Sequence, residues 1–281
     1  MNLLKIVQNL ENKTDEERFD FIIHFLEKHQ IKYQIHHYKT GKNIIIRITH
    51  NTETNKPFIG ISSHFDVVPN SGGANDNATS IAVCLDILIR IKEEVKLNPS
   101  FLENLASDIT VFIFDEEEKN LLGSRAYIME FGRQEIRKEK LIGLINLEML
   151  GQGDKLALWN LEENFEAGKL LQTLEKTAKE KGVFTKRFDK IVTNSADHVS
   201  FRHAKLQDAF TITCISQKDI EISYQYYEAQ ENGESFFRLS EIINQAPIFQ
   251  HYHKPSDLSK HLNEESMKRV SNLIWETLLK I

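Results

Sequence analysis

The sequence predicts an α/β fold with three layers, in which helices cover both faces of a central mixed, mostly parallel sheet. Short apolar runs rich in β-branched and aromatic residues alternate with stretches in which apolar residues keep helical spacing. This alternation is typical of layered α/β domains. The 281 residues are 41% apolar and 27% charged, which is enough to bury a sizeable core. Without a repeat, low-complexity segment or linker, residues 1–281 are expected to form a single domain.

Local signals predict the individual elements. Thr14 and Glu17 form a capping box at the start of a helix that runs to about His29. The charged region 217–235 is expected to be an irregular surface excursion. The other predicted elements are strands at 31–37, 43–49, 58–62, 108–114, 141–147, 155–159 and 209–215, and helices at 77–95, 123–131, 164–181, 235–244 and 263–281.

Composition excludes several classes of partner. The chain has 35 Lys and Arg against 41 Asp and Glu, a net charge of -6 with no basic block, which argues against nucleic acid. No apolar run approaches transmembrane length, and the N-terminus lacks the uninterrupted apolar core of a signal peptide. Cys84 and Cys214 form neither a CxxC pair nor a disulfide framework. We therefore expect a cytoplasmic protein without a membrane partner.

Candidate metal ligands follow three successive apolar runs. His64 ends the first run, the acidic residues 116–118 follow the second, and Glu148 ends the third. Asp76 lies one loop after His64, at a helix start. Ligands of an open α/β sheet bind beyond the carboxyl ends of its strands, and such a cluster repels itself unless a cation neutralises it. Imidazole and carboxylate are the usual ligands of zinc, and Asp66, on the same side as His64, is placed to orient that imidazole.

Six short motifs follow one another between about Ile44 and the C-terminus. They are His64-x-Asp66, Gly73-Ala-Asn-Asp76-Asn-Ala-Thr-Ser80, Glu117-Glu118-x-x-Leu-Leu-Gly-Ser124, Asn146-Leu-Glu148-Met, Ala196-Asp-His198 and Tyr252-His253-x-Pro-x-Asp257. Each motif alone is weak, but the six in this order at compatible spacings are specific. They resemble the motifs of the co-catalytic zinc aminopeptidases, a metallopeptidase family that also contains glutamate carboxypeptidase and glutaminyl cyclase branches and has the zinc-exopeptidase fold.

The resemblance implies a site for two zinc ions in each chain. His64 and Glu148 would bind one ion, Glu118 and His253 would bind the other, and Asp76 would bridge them. The resemblance also implies that the peptide bond after the bridging aspartate is cis, which is unusual for a bond that does not precede proline.

The resemblance further implies roles for residues that bind no metal. Glu117 would be the general base, and Asp66 would orient His64. Two neighbouring cations lower the pKa of a shared water, and the base passes its proton to the leaving amine. Asp197 and His198 are candidates for substrate binding, or alternatively they hold the loop at a helix start.

Three positions depart from the family pattern. Glu148 stands where aspartate is common, and glutamate is familiar there in the carboxypeptidase and acylase relatives, so hydrolysis is better supported than aminopeptidase specificity. Asn120 stands where glycine usually follows the Glu-Glu pair, and asparagine tolerates the same left-handed backbone. Several relatives place an oxyanion-supporting tyrosine where this chain has Thr193, Asn194 and Ser195.

These observations predict a zinc-dependent exopeptidase that acts on a peptide or aminoacyl small molecule, with an aminopeptidase as the leading hypothesis. A carboxypeptidase or an N-acyl amino acid hydrolase of the same fold is an alternative. A glutaminyl cyclase-type acyltransferase is another; those relatives use one zinc and often place tryptophan where this chain has Tyr252. The last alternative is a non-catalytic binding protein, which the retention of all five ligands and Glu117 disfavours.

Overall fold

A computed structural model of the chain describes residues 1–49, 56–159, 166–188 and 196–281. The strands in these ranges form one sheet. In chain order they are β1 (Gln34–His37), β2 (Lys42–Ile48), β3 (Phe58–His64), β4 (Asp108–Phe114), β5 (Leu141–Leu147), β6 (Lys155–Trp159), β7 (Thr185–Phe188) and β8 (Ala209–Ile215). The helices are α1 (Leu3–Leu10), α2 (Asp15–Lys28), α3 (Thr79–Leu97), α4 (Phe101–Asn104), α5 (Leu122–Tyr127), α6 (Arg133–Arg137), α7 (Lys169–Glu180), α8 (His198–His203), α9 (Gln217–Glu231), α10 (Phe236–Ile243) and α11 (Glu264–Leu278).

The sheet has the strand order β1-β2-β4-β3-β5-β8-β6-β7. The four central strands β4, β3, β5 and β8 run parallel to one another, and β6 pairs parallel with β7. The pairs β1–β2, β2–β4 and β6–β8 are antiparallel. The predicted mixed, mostly parallel sheet is therefore confirmed, and the carboxyl ends of its four central strands meet at one edge.

Helices cover both faces of the sheet. The largest apolar cluster joins one face to α1, α2, α3, α7 and α11. On the opposite face, the Phe112 ring of β4 packs against the rings of Tyr127 in α5 and Phe201 in α8, at centroid distances of 4.8 and 6.1 Å. A third cluster packs α9 and α10 against β6, β7 and β8. The predicted three-layer arrangement is confirmed.

The predicted boundaries agree best where an apolar run is bounded by polar residues. The strands predicted at 108–114, 141–147, 155–159 and 209–215 occur at those residues. Helix α2 begins after Thr14, and the capping box is present. The helix predicted at 164–181 is observed as α7, although residues 160–165 lie outside the described ranges.

The region 217–235, predicted to be irregular, is mostly helix α9, and that prediction is wrong. The Ser216 hydroxyl accepts a hydrogen bond from the Asp219 backbone N–H, and the Asp219 carboxylate accepts one from the Ser216 N–H at 2.7 Å. This capping box starts the helix. Ile220 and Ile222 are buried against β6 and β8, while the charged residues that suggested a loop lie on the outer face.

Helix α1 was not predicted, although Asn2 caps it by accepting a hydrogen bond from the Lys5 N–H at 2.8 Å. Leu3, Val7 and Leu10 of α1 are buried in the largest cluster. Within the described part of the chain, no helix combines the length and the apolar character needed to cross a membrane.

Candidate active site

The structure brings the five proposed metal ligands to the carboxyl edge of the sheet. His64 is the last residue of β3, and Glu148 directly follows β5. Glu118 lies in the loop after β4. Asp76 lies in the turn Ala74–Ala78, which leads into α3 and in which Asp76 and Asn77 have non-helical backbone angles. His253 comes from the segment between α10 and α11, so the ligands span most of the chain and yet converge.

Asp76 lies between two imidazoles. Its Oδ1 is 3.4 Å from His64 Nε2, and its Oδ2 is 3.3 Å from His253 Nε2. Glu148 Oε2 is 3.3 Å from His64 Nε2, and Glu118 Oε2 is 3.3 Å from His253 Nε2. The side chains therefore form two groups that share Asp76: His64 with Glu148, and His253 with Glu118.

These two groups fit zinc. Each offers one imidazole nitrogen and two carboxylate oxygens, with ligand atoms within 4.8 Å of one another. Two donors bound to one tetrahedral zinc at about 2.0–2.1 Å lie about 3.3 Å apart, which is the spacing seen here. The buried Nε2 of His253 makes no hydrogen bond to any residue in the described ranges. A buried polar atom without a partner is costly, and a bound cation would satisfy it.

The position of Asp76 is set by its neighbours in sequence and in space. The Asp76–Asn77 peptide bond is cis, as the resemblance implied. The Asp257 carboxylate accepts hydrogen bonds from the backbone N–H groups of Asn75 and Asp76 at 2.9 and 3.1 Å. The Asn77 amide donates to Glu148 Oε2 at 2.6 Å. Asp76 and Glu148 are therefore held by one hydrogen-bonded network.

Asp66 contacts both sides of the site. His64 Nδ1 lies 3.1 Å from the Asp66 carbonyl oxygen and 3.2 Å from its carboxylate. The two carboxylate oxygens of Asp66 accept the backbone N–H groups of Glu117 and Glu118, each at 3.0 Å. One carboxylate thus holds the orientation of an imidazole and the position of two glutamates.

The loop after β4 turns sharply through left-handed backbone. Glu116, Asn120 and Leu121 have φ values of +54°, +74° and +61°. The left-handed conformation expected for Asn120 is therefore present. The turn directs Glu117 and Glu118 into a cavity of about 550 Å³ that also contains His64, Asp76 and Glu148.

The cavity concentrates negative charge. Burial raises the pKa of Glu117 well above its usual range, and the Glu148 carboxylate raises it further. Burial, followed by the nearby Asp76 charge, raises the pKa of Glu118 to about 6. Burial opposes protonation of His64, but the carboxylates of Glu148 and Glu117 outweigh it and raise the pKa of that imidazole. Bound cations would relieve this repulsion.

Asp197 and His198 follow the cavity-lining Ala196, and both are fully buried. His198 Nδ1 is 2.7 Å from Thr211 Oγ1, and burial raises the pKa of Asp197 to about 8. Among the described cavity-lining residues, Ala196 is the one contributed by this motif. Substrate binding by Asp197 and His198 stays a prediction, and residues 193–195 lie outside the described ranges.

Sequence reasoning assigned no role to Tyr252, Asn77 or the carboxylate of Asp257. Tyr252 lines the cavity, and its ring stacks on His253 at a centroid distance of 3.7 Å. All three residues lie within the motifs, so their position in the sequence could have marked them as candidate site residues. The hydrogen bonds of Asn77 and Asp257, however, link them to partners 71 and 182 residues away in sequence.

The fold and the site together define a class of protein. Imidazole and carboxylate donors are gathered beside the half-buried Glu117 at the carboxyl ends of parallel strands, an arrangement suited to metal-assisted hydrolysis. The model of peptidase family M28 matches residues 43–278. The chain belongs to this family of peptidases, which confirms the resemblance carried by the motifs.

Known proteins similar to this chain agree with that assignment. Aminopeptidase YwaD of Bacillus subtilis is 27% identical over 239 residues, covering 84% of this chain and 44% of that protein. A vacuolar membrane protease of Yarrowia lipolytica is 31% identical over 127 residues, covering 45% of this chain and 12% of that protein. The chain thus spans less than half the length of these curated relatives.

Solved structures share the fold at low identity. A zinc aminopeptidase from Bacillus subtilis has a TM-score of 0.61 and 21% identity, covering 85% of this chain and 50% of that chain. Porphyromonas gingivalis glutaminyl cyclase has a TM-score of 0.66 and 16% identity, covering 99% of this chain and 96% of that chain. These structures confirm the predicted fold class.

Proposed function

We propose that the protein is an aminopeptidase that uses two zinc ions and releases the N-terminal residue of short peptides. The observation that carries this proposal is the charge of the cavity. Four carboxylates line it: Asp76, Glu117, Glu118 and Glu148. Three of them are proposed zinc ligands, and the described lining holds no unpaired cation, so a substrate with a free amine fits the cavity better than one with a free carboxylate.

The same surface disfavours a carboxypeptidase, which has to bind a substrate carboxylate. The one cation among the described cavity-lining residues is Lys119. Its ammonium is 3.1 Å from the Glu116 carboxylate, and it is largely exposed to solvent. Lys119 is therefore already paired, and the described cavity-lining residues leave no free cation for a substrate carboxylate.

The proposed reaction divides the work between the ligands and Glu117. His64 and Glu148 would hold one zinc ion, Glu118 and His253 would hold the other, and Asp76 would contribute to both. Zinc would polarise the scissile carbonyl and lower the pKa of the attacking water. The Glu117 carboxylate would accept a proton from that water and deliver it to the leaving nitrogen. The backbone N–H of Glu117 donates a hydrogen bond to the Asp66 carboxylate, which limits the freedom of the loop after β4.

A second, apolar cavity indicates that the N-terminal residue of the substrate has an apolar side chain. It shares Glu148, Met149 and Ala196 with the acidic cavity, so the two adjoin. Trp159 and Phe188 form part of its wall and stack at a centroid distance of 4.6 Å. A substrate bound by its amine in the acidic cavity would direct an apolar side chain here.

We also propose a cytoplasmic location. The two cysteines of the chain, Cys84 and Cys214, are both buried and free. Cysteines without disulfide partners fit a reducing compartment.

The test is a set of matched substrates assayed with zinc and with chelator. We expect chelator-sensitive hydrolysis of leucine p-nitroanilide and of leucyl dipeptides, and elemental analysis is expected to find two zinc ions per chain. N-acetyl-leucine p-nitroanilide, which lacks the free amine, should not be hydrolysed.

Three results would contradict the proposal. Equal hydrolysis of the acetylated substrate would exclude recognition of the amine. Turnover confined to N-acyl amino acids or to C-terminal residues would identify one of the other hydrolases. Conversion of an N-terminal glutamine to pyroglutamate, without peptide hydrolysis, would identify a cyclase.

A further inference from the structure

The Arg18 side chain reaches from α2 to the loop between two proposed metal ligands. It is fully buried. Its Nη2 donates a hydrogen bond to the Gly73 carbonyl at 2.8 Å, with a longer contact to the Gly72 carbonyl at 3.5 Å. Its Nη1 lies 3.4 Å from the Phe65 carbonyl. One guanidinium therefore contacts both ends of the loop that starts after His64 and ends at the turn that holds Asp76.

The loop is shaped to admit this guanidinium. Gly73 has a φ of +63°, and a Cβ built on it would lie 2.0 Å from Arg18 Nη2. Any other residue at position 73 would therefore collide with the Arg18 side chain in addition to straining the backbone. The Gly73 carbonyl also accepts the Ala78 N–H at 3.3 Å, across the turn that contains Asp76.

Neighbouring contacts of α2 act on the same loop. Asp15 Oδ1 accepts the Val67 N–H at 2.9 Å. The Arg18 charge lies near the carboxylates of Asp15, Asp66, Asp76 and Asp257. Two of these, Asp66 and Asp257, hold backbone N–H groups of proposed catalytic or ligand residues. Arg18 thus supplies positive charge behind the metal ligands as well as hydrogen bonds to their loop.

Stability alone does not explain a buried arginine here. Its Nε has no hydrogen-bond partner in the described part of the chain. A buried charge with an unsatisfied donor has a desolvation cost, which its hydrogen bonds and the neighbouring carboxylates have to offset. Arg18 also lies outside residues 43–278, which the family model matches.

We propose that Arg18 is a positioning residue of the metal centre, whose guanidinium fixes the loop from Phe65 to Gly73 so that the Asp76 carboxylate stays between the two imidazoles. The inference rests on the proposed function only in requiring that the five ligands bind zinc. Arg18 itself touches neither metal nor substrate; it acts through the backbone that carries Asp66 and Asp76.

The test compares Arg18→Met with the unmodified protein in zinc affinity, measured by competition with a chromophoric chelator. We expect the affinity to fall about 10- to 100-fold, as is typical when a group supporting metal ligands is lost. The visible absorption of the Co²⁺-loaded protein should change, because it reports ligand geometry. The melting temperature of the metal-free protein is expected to fall as well, because methionine leaves the carboxylates near position 18 without their counter-charge, so zinc affinity is compared only among variants that fold.

Two further variants serve as controls. Arg18→Lys keeps the charge but loses the fork that spans the carbonyl groups, so its zinc affinity is expected to lie between those of Arg18→Met and the unmodified protein. It also preserves the test if the methionine variant does not fold. Arg133→Met, which removes an exposed arginine of α6, should leave zinc affinity and the Co²⁺ spectrum unchanged.

Unchanged zinc affinity and an unchanged Co²⁺ spectrum in both Arg18 variants would overturn the inference, whatever happens to the melting temperature. An effect of the same size in Arg133→Met would overturn it as well. These measurements need no peptide hydrolysis. A failure of the unmodified protein to bind zinc would instead contradict the proposed function.

Discussion

Asp66 shows how much a single residue organises in this site. It follows His64 by two residues, so its relation to that imidazole was predictable from sequence. Its hydrogen bonds to the N–H groups of Glu117 and Glu118 were not, because they link positions 51 and 52 residues apart. The proposed ligands could be selected from the sequence because each follows an apolar run or lies in a recognisable motif, and the structure brings them together. The hydrogen bonds that hold the proposed ligands in place, in contrast, are visible only in the structure.

The role proposed for Glu117 predicts a specific defect in Glu117→Gln. The amide cannot accept a proton, so we expect kcat to fall about 10²- to 10⁴-fold, the usual contribution of a general base. Because glutamine has nearly the same volume and Glu117 is not one of the five proposed ligands, zinc content should stay at the level of the unmodified protein. Steady-state kinetics and elemental analysis on the same preparation check both expectations.

The matched control is the adjacent ligand. Glu118→Gln should lower zinc content as well as turnover, because Glu118 Oε2 is one of the atoms grouped around His253. Loss of zinc in Glu117→Gln with full zinc in Glu118→Gln would reverse the two assignments.

At the scale of elements, capping residues decided which sequence predictions were right. The Thr14–Glu17 box placed the start of α2 correctly. The equivalent pair, Ser216 and Asp219, was overlooked, and α9 was taken for a loop because of its charged outer face. Charged residues show which side of a helix faces solvent. The cap and the buried Ile220 are the features that indicate that a helix forms.

The cap of α2 gives a prediction for stability. Thr14 Oγ1 accepts the Glu17 N–H at 3.3 Å, and Glu17 accepts the Thr14 N–H at 2.9 Å. Replacing Thr14 by alanine should lower the free energy of unfolding by about 1 kcal/mol. For a chain of this size the melting temperature should fall by about 2 °C, measurable by calorimetry.

Thr173→Ala is the matched control for Thr14→Ala. Thr173 lies on the exposed side of α7, and its hydroxyl donates to the Lys169 carbonyl of its own helix at 2.7 Å. Such a bond within a helix contributes little to stability, so alanine should be neutral or slightly stabilising. Equal destabilisation by the two variants would show that the capping box is not the cause.

At the scale of the whole molecule, we expect residues 1–281 to unfold as one unit. The two tryptophans report on distant regions: Trp159 ends β6, whereas Trp275 lies in α11 and stacks on Phe101 at 5.8 Å. Single-tryptophan variants, Trp159→Phe and Trp275→Phe, should therefore give the same unfolding midpoint in urea. Zinc should raise both midpoints together, because each bound ion adds about 2.7 kcal/mol to the free energy of unfolding at a free concentration 100 times its Kd. Separate midpoints would indicate two domains.

The sheet and its layers were predictable because β-branched runs alternate with helical spacing, and the strands from β4 to β6 are clearly bounded. The order of the strands was not, since the pairing of β8 with both β5 and β6 depends on contacts distant in sequence. Strand β7 was not predicted either; its four residues carry two cations, Lys186 and Arg187, which weaken the apolar signal of a strand.

The helices α1 and α2 have a practical consequence for how this protein is handled. They precede residue 43, where the similarity to the family begins. Their residues Leu10, Ile22 and Leu26 are nevertheless buried in the largest apolar cluster of the protein. A protein that began at residue 43 would lack both helices, and the apolar surface that they cover would be exposed to solvent. Exposed apolar surface of this kind promotes aggregation. Expression boundaries are therefore better drawn from packing than from similarity scores.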